Sequence, residues 1–355
     1  MPLRTYLIRR IIYSIILLLL VIIVNYAIFM LMPGDPTSTL LSGFSRESPT
    51  ERMEHERLLN ELWGLNDPPE IQLLKYIRNL LMWDFGRELL GRRPIQTVML
   101  EKIPFTVLLL GCATAISLII GIALGVYAVS RRGGLFDSIS VVTALVLNSL
   151  PTFWLGLILL WVFSSTLHWL PGSHAFPAEW AGGKAPVPFS LATSSSPQAL
   201  GISLNLNVID VWNLFYGYFL HLLLPLMTLT LFSFGGWLLL TRACMLDAIT
   251  EDYVVTARAK GLSERSVLFK HALKNASLPL ITSAALSFAF ILTGAIITET
   301  VFSYPGVGGW LWDAISFHDY SVLMAIFYVS SLAVIIANII ADLLYGIIDP
   351  RIKFG

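Results

Sequence analysis

Few residues in this 355-residue chain are placed to do chemistry. The triplet Gly182-Gly183-Lys184 lacks the upstream glycine of a phosphate-cradling loop, so no nucleotide site is expected in the chain itself. His55, His168, His174, His221, His271 and His318 are scattered, and Cys112 and Cys244 lie far apart beside apolar runs. No metal-ligand or nucleophile spacing joins them, so neither catalytic nor metal-binding residues are expected. Glu299 and Asp342 fall inside apolar runs, where a carboxylate marks function by default. Both stand near the end of a run, and Asn338 precedes Asp342 by one helical turn, so structural pairing is the favoured reading of each. The patterned polar stretch is 243–278, which reads as two short amphipathic helices around Gly261. Its small residues Ala257, Ala259 and Gly261 suit insertion into a partner's groove, which is favoured over helices that merely lie on the membrane surface.

The elements that must hold this stretch follow from composition. The chain is 56% hydrophobic and only 13% charged, with a mean hydropathy of +0.74. Soluble domains carry about 25% charge, so a polytopic, all-α membrane protein is expected, and disorder is excluded. Lys+Arg 23 balance Asp+Glu 23, which leaves no basic field for nucleic acid. A helix crossing the bilayer needs about 20 apolar residues. Six stretches qualify: 9–32, 105–129, 138–169, 218–241, 279–300 and 322–347. The first is too sustained for a cleaved signal and reads as a retained anchor. The third is over-long and holds Pro151, which predicts a kink. Gly121 and Gly125 in the second form a small-xxx-small pattern for one close helix contact, within the subunit or between subunits.

Six spans put both termini on one side. Thirteen lysines and arginines share that side, among them Arg4, Arg9, Arg10, Arg131, Arg132, Arg242, Arg351 and Lys353. The opposite loops carry only Lys184, apart from the long 33–104 segment where acidic residues balance the basic ones. The positive-inside rule makes the basic side cytoplasmic. The expected organisation is therefore a tail and first span (1–32), an extracytoplasmic helical insert (33–104) and a five-span core (105–355). In the insert, Ser48-Pro49-Thr50-Glu51 is a capping box that predicts a helix over 49–62. A second helix is expected over 70–83, with Leu73, Ile77 and Leu80 on one face. These helices either cover the span ends or dock an external partner. The Pro-, Gly- and Ser-rich loop 171–216 is expected to be irregular or partly β.

Within the cytoplasmic stretch, the first helix, 249–260, opens on Thr250, Glu251 and Asp252, acidic groups that suit a helix N-terminus. It ends at Gly261, the residue best able to take a left-handed C′ position. The second, 263–275, carries the stripe Phe269, Ala272, Leu273 and Ala276, with Lys270 and Lys274 on another face. Leu278-Pro279 then opens the fifth span.

The run Tyr253-Val-Val-Thr-Ala-Arg-Ala-Lys-Gly261-Leu262 resembles the coupling-loop motif of permease subunits in binding-protein-dependent ABC importers, which reads Glu-Ala-Ala-x-x-x-Gly. Aligned on Gly261, the first three positions are Val255, Thr256 and Ala257, and the interval to Leu278-Pro279 is longer than in sugar-type permeases. Both departures are similar to the dipeptide/oligopeptide/nickel subfamily, whose members tend to read Thr-Ala-Arg-Ala-Lys-Gly. Other stretches agree: Met32-Pro-Gly-Asp-Pro36, Trp83-Asp-Phe-Gly86, Arg131-Arg-Gly-Gly-Leu-Phe-Asp137 and Ser149-Leu-Pro-Thr-Phe-Trp-Leu-Gly156. So do Glu299-Thr-Val-Phe-Ser-Tyr-Pro-Gly-Val-Gly308 and Asp349-Pro-Arg351, and the long insert after the first span resembles the first of the two permeases in such systems.

The resemblance implies a multi-pass cell-membrane protein forming half of a heterodimeric path for peptides or related solutes. A second homologous permease, two cytoplasmic ABC ATPases and an extracytoplasmic binding protein are the implied partners, with ATP and Mg held by the ATPases. Thr256, Ala257 and Gly261 would set close approach to an ATPase, within a motif that includes Tyr253 and Leu262. Glu251, Asp252, Arg258 and Lys260 would supply polar contacts at the rim. From the residues themselves, Asn148, Ser149 and Pro151 near the third-span kink are polar or helix-breaking at membrane depth and are the candidate path residues, with core packing an equally good explanation of them. The competing class is an ion-coupled carrier or channel working without ATPases, which would need more charge at the bilayer midplane.

Overall fold

A computed structural model of the chain describes residues 3–31, 57, 67–89, 93–174 and 208–348. Apart from Arg57, the predicted helix 49–62 therefore lies outside the described residues, as does most of the loop 171–216. Among those described, the architecture is all-α and the only β-type pairing is an isolated bridge between Arg87 and Pro94.

The spans form where apolar runs predict them, but the helices overrun the runs. Helix α1 is Leu3–Leu31. Helix α2, Pro69–Leu81, opens with proline at its first position, where the missing N–H costs nothing. Helix α3, Ile95–Ser130, is 36 residues, about 54 Å at 1.5 Å per residue, and absorbs Pro104 without breaking. It thus takes in ten residues assigned to the insert, Pro104 among them, and starts directly after Pro94.

The third predicted span is corrected more sharply. Helix α4, Leu135–Ser149, and helix α5, Thr152–Leu159 with a π-helical extension Leu160–Thr166, meet at 100°. Leu150 takes an extended backbone (ψ 136°), the conformation favoured before a proline, and Pro151 follows at ψ 132°. Two non-helical residues in a row make this a break, not a kink.

Helix α6, Val208–Ala248, begins inside the loop expected to be irregular and is the centre of the bundle. In its most apolar window 61% of the residues are buried, against 6% for α1. Helix α7 is Asp252–Ala259 and α8 is Glu264–Thr293. The short helices α9, Ile296–Val301, and α10, Val307–Ser316, precede α11, Tyr320–Ile348.

The Gly121/Gly125 pattern makes its close contact inside the subunit. A Cβ at Gly121 would lie 2.3 Å from Trp237 Cβ, and one at Gly125 would lie 2.7 Å from Thr241 Cβ, so α3 and α6 touch backbone to backbone. Gly235 of α6 does the same against α4, where a Cβ would meet the Ala144 carbonyl oxygen at 2.6 Å.

At the end of the bundle away from the 131–134 turn, Tyr76 and Leu80 of α2 share a core with Ile22 of α1, Trp310 of α10 and Tyr328 of α11. The predicted face of α2 is the buried one, Leu80 fully and Leu73 and Ile77 partly.

Candidate functional site

The 249–277 region is built onto the ends of α3 and α6. After Ala248 the chain turns, with the Thr250 hydroxyl donating to the Asp247 carbonyl at 2.7 Å. Glu251 takes extended backbone (φ −76°, ψ 148°) and caps α7, which is therefore shorter at its start than the 249–260 reading. Val254 and Ala257 face inward and are buried, while Thr256 donates its hydroxyl back to the Asp252 carbonyl at 3.0 Å. Gly261 has φ +76°, the left-handed C′ conformation its position demands. A Cβ there would meet nothing within 4 Å, so backbone conformation, not crowding, selects glycine.

Helix α8 starts behind a Ser263 cap, whose hydroxyl oxygen accepts the Ser266 N–H at 3.4 Å. It runs into the fifth span without a stop at Leu278, carrying Pro279 inside the helix. Val267–Ala272 is π-helical. One extra residue per turn rotates the register, and the predicted stripe shifts with it. Leu268 takes the buried place expected of Phe269, which is left 50% exposed, while Ala272 and Ala276 stay buried.

One core unites the pieces: Val126 and Val129 of α3, Met245 and Ala248 of α6, Val254 and Ala257 of α7, and Val267, Leu268, Ala272 and Ala276 of α8. The corner is closed by Arg258, whose Nε and Nη2 donate to the two Glu264 carboxylate oxygens at 3.2 and 2.7 Å. That hydrogen bond holds the Arg258 guanidinium above its ordinary pKa. The pair is exposed and contributes well under 1 kcal/mol or so to stability, but its fork fixes the angle between α7 and α8. The result is a compact helical knob.

The sequence-derived residues divide accordingly. Glu251, Asp252, Thr256, Lys260, Gly261 and Leu262 lie on the exposed surface of the knob. Ala257 is buried, so its small size serves the packing of α7 onto α6 and α8 and not direct contact with a partner. Tyr253 is half-buried against the same core. Arg258 is spent on Glu264. Periodicity alone missed Val255, 58% exposed, which joins Leu262 and Phe269 as apolar groups presented outward. No sequence signal separates Val255 from its buried neighbour Val254.

Asn148, Ser149 and Pro151 are all exposed at the break between α4 and α5, and the Ser149 hydroxyl donates only locally, to the Val146 carbonyl at 2.8 Å.

Glu299 lies beyond the fifth span, on α9, with no exposed surface. Its Oε1 accepts from the Thr106 hydroxyl of α3 and the Ala295 N–H, both at 3.1 Å. Its Oε2 accepts the Gly309 N–H at 2.9 Å, and Thr106 Oγ1 accepts the Val307 N–H at 2.7 Å. The carboxylate thus ties α9 and α10 to α3, which is the structural pairing expected of it. The side chain of Asp342 lies outside the described residues.

The knob and the ends of α3 and α6 thus share one continuous core. The family described as "Binding-protein-dependent transport system inner membrane component" matches residues 92–354. An N-terminal family of membrane components of the same systems matches residues 3–109. The chain is 33% identical to the oligopeptide transport system permease protein AppB of Bacillus subtilis, over 98% of this chain and 99% of the relative. It is 35% identical to the di/tripeptide transport system permease protein DppB of Pseudomonas aeruginosa, over 94% of each. It is 34% identical to the dipeptide transport system permease protein DppB of Escherichia coli K12, over 93% of each.

Proposed function

The chain belongs to the family of inner membrane components of binding-protein-dependent transport systems, and from that premise we propose what it carries and which residues couple it to its energy source. It is a transmembrane permease subunit of an ABC importer, seated in the membrane by its long apolar helices. Partner ATPases and a binding protein go with that family in general. The relatives' names speak of oligopeptides, di/tripeptides and dipeptides, and peptides are the proposed cargo here. The proposed assembly pairs this chain with a second, homologous permease, two cytoplasmic ATPases that hold ATP and Mg, and an external binding protein that meets the 33–104 insert.

With the basic end in the cytosol, the knob of α7 and the start of α8 is the ATPase contact. Val255, Leu262 and Phe269 would fill an apolar groove, with Glu251, Asp252, Thr256 and Lys260 around them. The observation that carries this reading is the shared core of the knob with the ends of α3 and α6, because a partner that moves the knob moves those helices too. Closure of the ATPases on ATP then tilts α3 and α6. The path opens and shuts beside the α4–α5 break, where Asn148, Ser149 and Pro151 are proposed to line it.

The test is Gly261→Val in the complete complex in proteoliposomes, with uptake of radiolabelled di-, tri- and longer peptides measured beside ATP hydrolysis. The variant is expected to insert and assemble, and to hydrolyse ATP without matching uptake. Normal uptake by the variant, or uptake by the isolated chain without ATP, would refute the assignment.

A further inference from the structure

The motif from Arg131 to Asp137 meets the end of α6. Asp137, in the first turn of α4, is buried, its side chain 6% exposed. Both of its oxygens are engaged. Arg242 of α6 donates through Nε to Oδ1 at 2.6 Å and through Nη2 to Oδ2 at 2.9 Å, and the Gly133 N–H donates to Oδ2 at 3.0 Å. Gly133, at φ +75°, turns that N–H toward the carboxylate.

Asp137 is buried while the Arg242 side chain is 28% exposed, and taking a carboxylate out of water is a costly way to hold two helices, because well-packed apolar groups do as well or better. Here α4 and α6 already touch backbone to backbone at Ala144 and Gly235. What the fork adds is direction, since two charge-assisted bonds in a plane fix both rotation and sliding of one helix against the other.

Its position is the second observation. Arg242 lies one turn before Met245 and fewer than two before Ala248, and both of those side chains are in the core of the knob. It therefore moves with the knob. Asp137 lies at the near end of α4, whose far end, about 18 Å away at 1.5 Å per residue, is the 100° break.

We propose that the ion pair of Asp137 and Arg242 is the strut through which movement of the knob reaches the broken span. Both are positioning residues for transport, and the proposal rests on the coupling role of the knob. A push on α7 shifts the end of α6, Arg242 carries the shift to Asp137, and α4 delivers it to Ser149 and Pro151. The packing at Gly235 alone lets α4 roll on α6 and dissipate the movement.

The experiment uses the complete complex in proteoliposomes, with Cys112 and Cys244 replaced by serine and Ser149→Cys as a reporter for a maleimide dye. With the strut intact, trapping by ATP and vanadate changes the labelling rate at position 149. Asp137→Asn and Arg242→Gln are each expected to abolish that change while ATP hydrolysis and assembly persist. Labelled tripeptide taken up per ATP should fall about tenfold, within the range by which coupling mutations act. The double variant should be no worse than either single one. Wild-type labelling response and coupling in both single variants would overturn the proposal. So would a proportional loss of hydrolysis and uptake, which is the mark of a merely structural pair. ATP-independent uptake by the unaltered complex would overturn the coupling reading itself, and the strut with it.

Discussion

Glu299→Gln is the substitution whose cost the structure specifies most closely. Three donors point at the carboxylate: the Thr106 hydroxyl and the Ala295 N–H at Oε1, and the Gly309 N–H at Oε2. Glutamine has one carbonyl oxygen and one NH2. Whichever way it is turned, an amide N–H faces a donor, so at least one charge-assisted bond is lost and a buried N–H is left unpaired. The cage has no slack to relax into, since even a Cβ at Gly306 would lie 2.3 Å from Glu299 Oε2 and 2.5 Å from Thr106 Oγ1. The expected loss is about 2–4 kcal/mol. Thr106→Val removes the hydroxyl that both donates to Glu299 and accepts from Val307, and about 1–3 kcal/mol follows. Because the two residues share one network, the double variant should fall short of the sum by roughly 1 kcal/mol or more. Thermal unfolding of the purified protein in detergent, read for all four forms, measures this. A Glu299→Gln variant within about 0.5 kcal/mol of wild type, or strict additivity with Thr106→Val, would refute the reasoning.

Two further outcomes are expected. Gly125→Val places a side chain where a Cβ alone would already be 2.7 Å from Thr241 Cβ, so α3 and α6 must separate; a loss of about 1–3 kcal/mol in the same assay is expected, whereas Gly111→Ala, with open space around it, should be close to neutral. Burial, with the Glu88 charge adding in the same direction, raises the Asp319 pKa above its ordinary 3.8 although the Leu89 N–H donates to it at 2.7 Å. The folded state therefore binds this proton more tightly than the unfolded chain, and the contribution of Asp319 to stability falls as pH rises from about 3.8 through the folded value. Asp319→Asn should remove that slope, and a wild-type slope retained in the variant's melting curves would contradict it.

The spans were legible because a bilayer imposes one crude requirement, a long apolar run. Their ends were not, because α3 and α6 continue as helices past the apolar residues until a breaker stops them, at Pro94 in one case. Pro151 announced a disturbance, but its size depended on Leu150 also leaving helical backbone, which sequence periodicity does not register. The Gly261 corner was readable as a left-handed C′ position because its cause is local. The stripe on α8 was misread by one residue because a π-helical turn changes the period itself. The partners of Glu299 were invisible for a different reason: two of its three donors are backbone N–H groups, which every sequence contains. The fork between Asp137 and Arg242 joins residues 105 positions apart, and nothing in either neighbourhood names the other.

In the proposed function the knob is the surface that the ATPases grip. Val255→Cys and Leu262→Cys, placed on two of its exposed apolar positions, can be cross-linked in the assembled complex with a short bifunctional maleimide. Cross-links to an ATPase subunit whose yield changes between nucleotide-free and ATP-trapped states are the predicted result. Labelling of both positions by an impermeant reagent from outside intact cells, with no ATPase cross-link in any state, would contradict it.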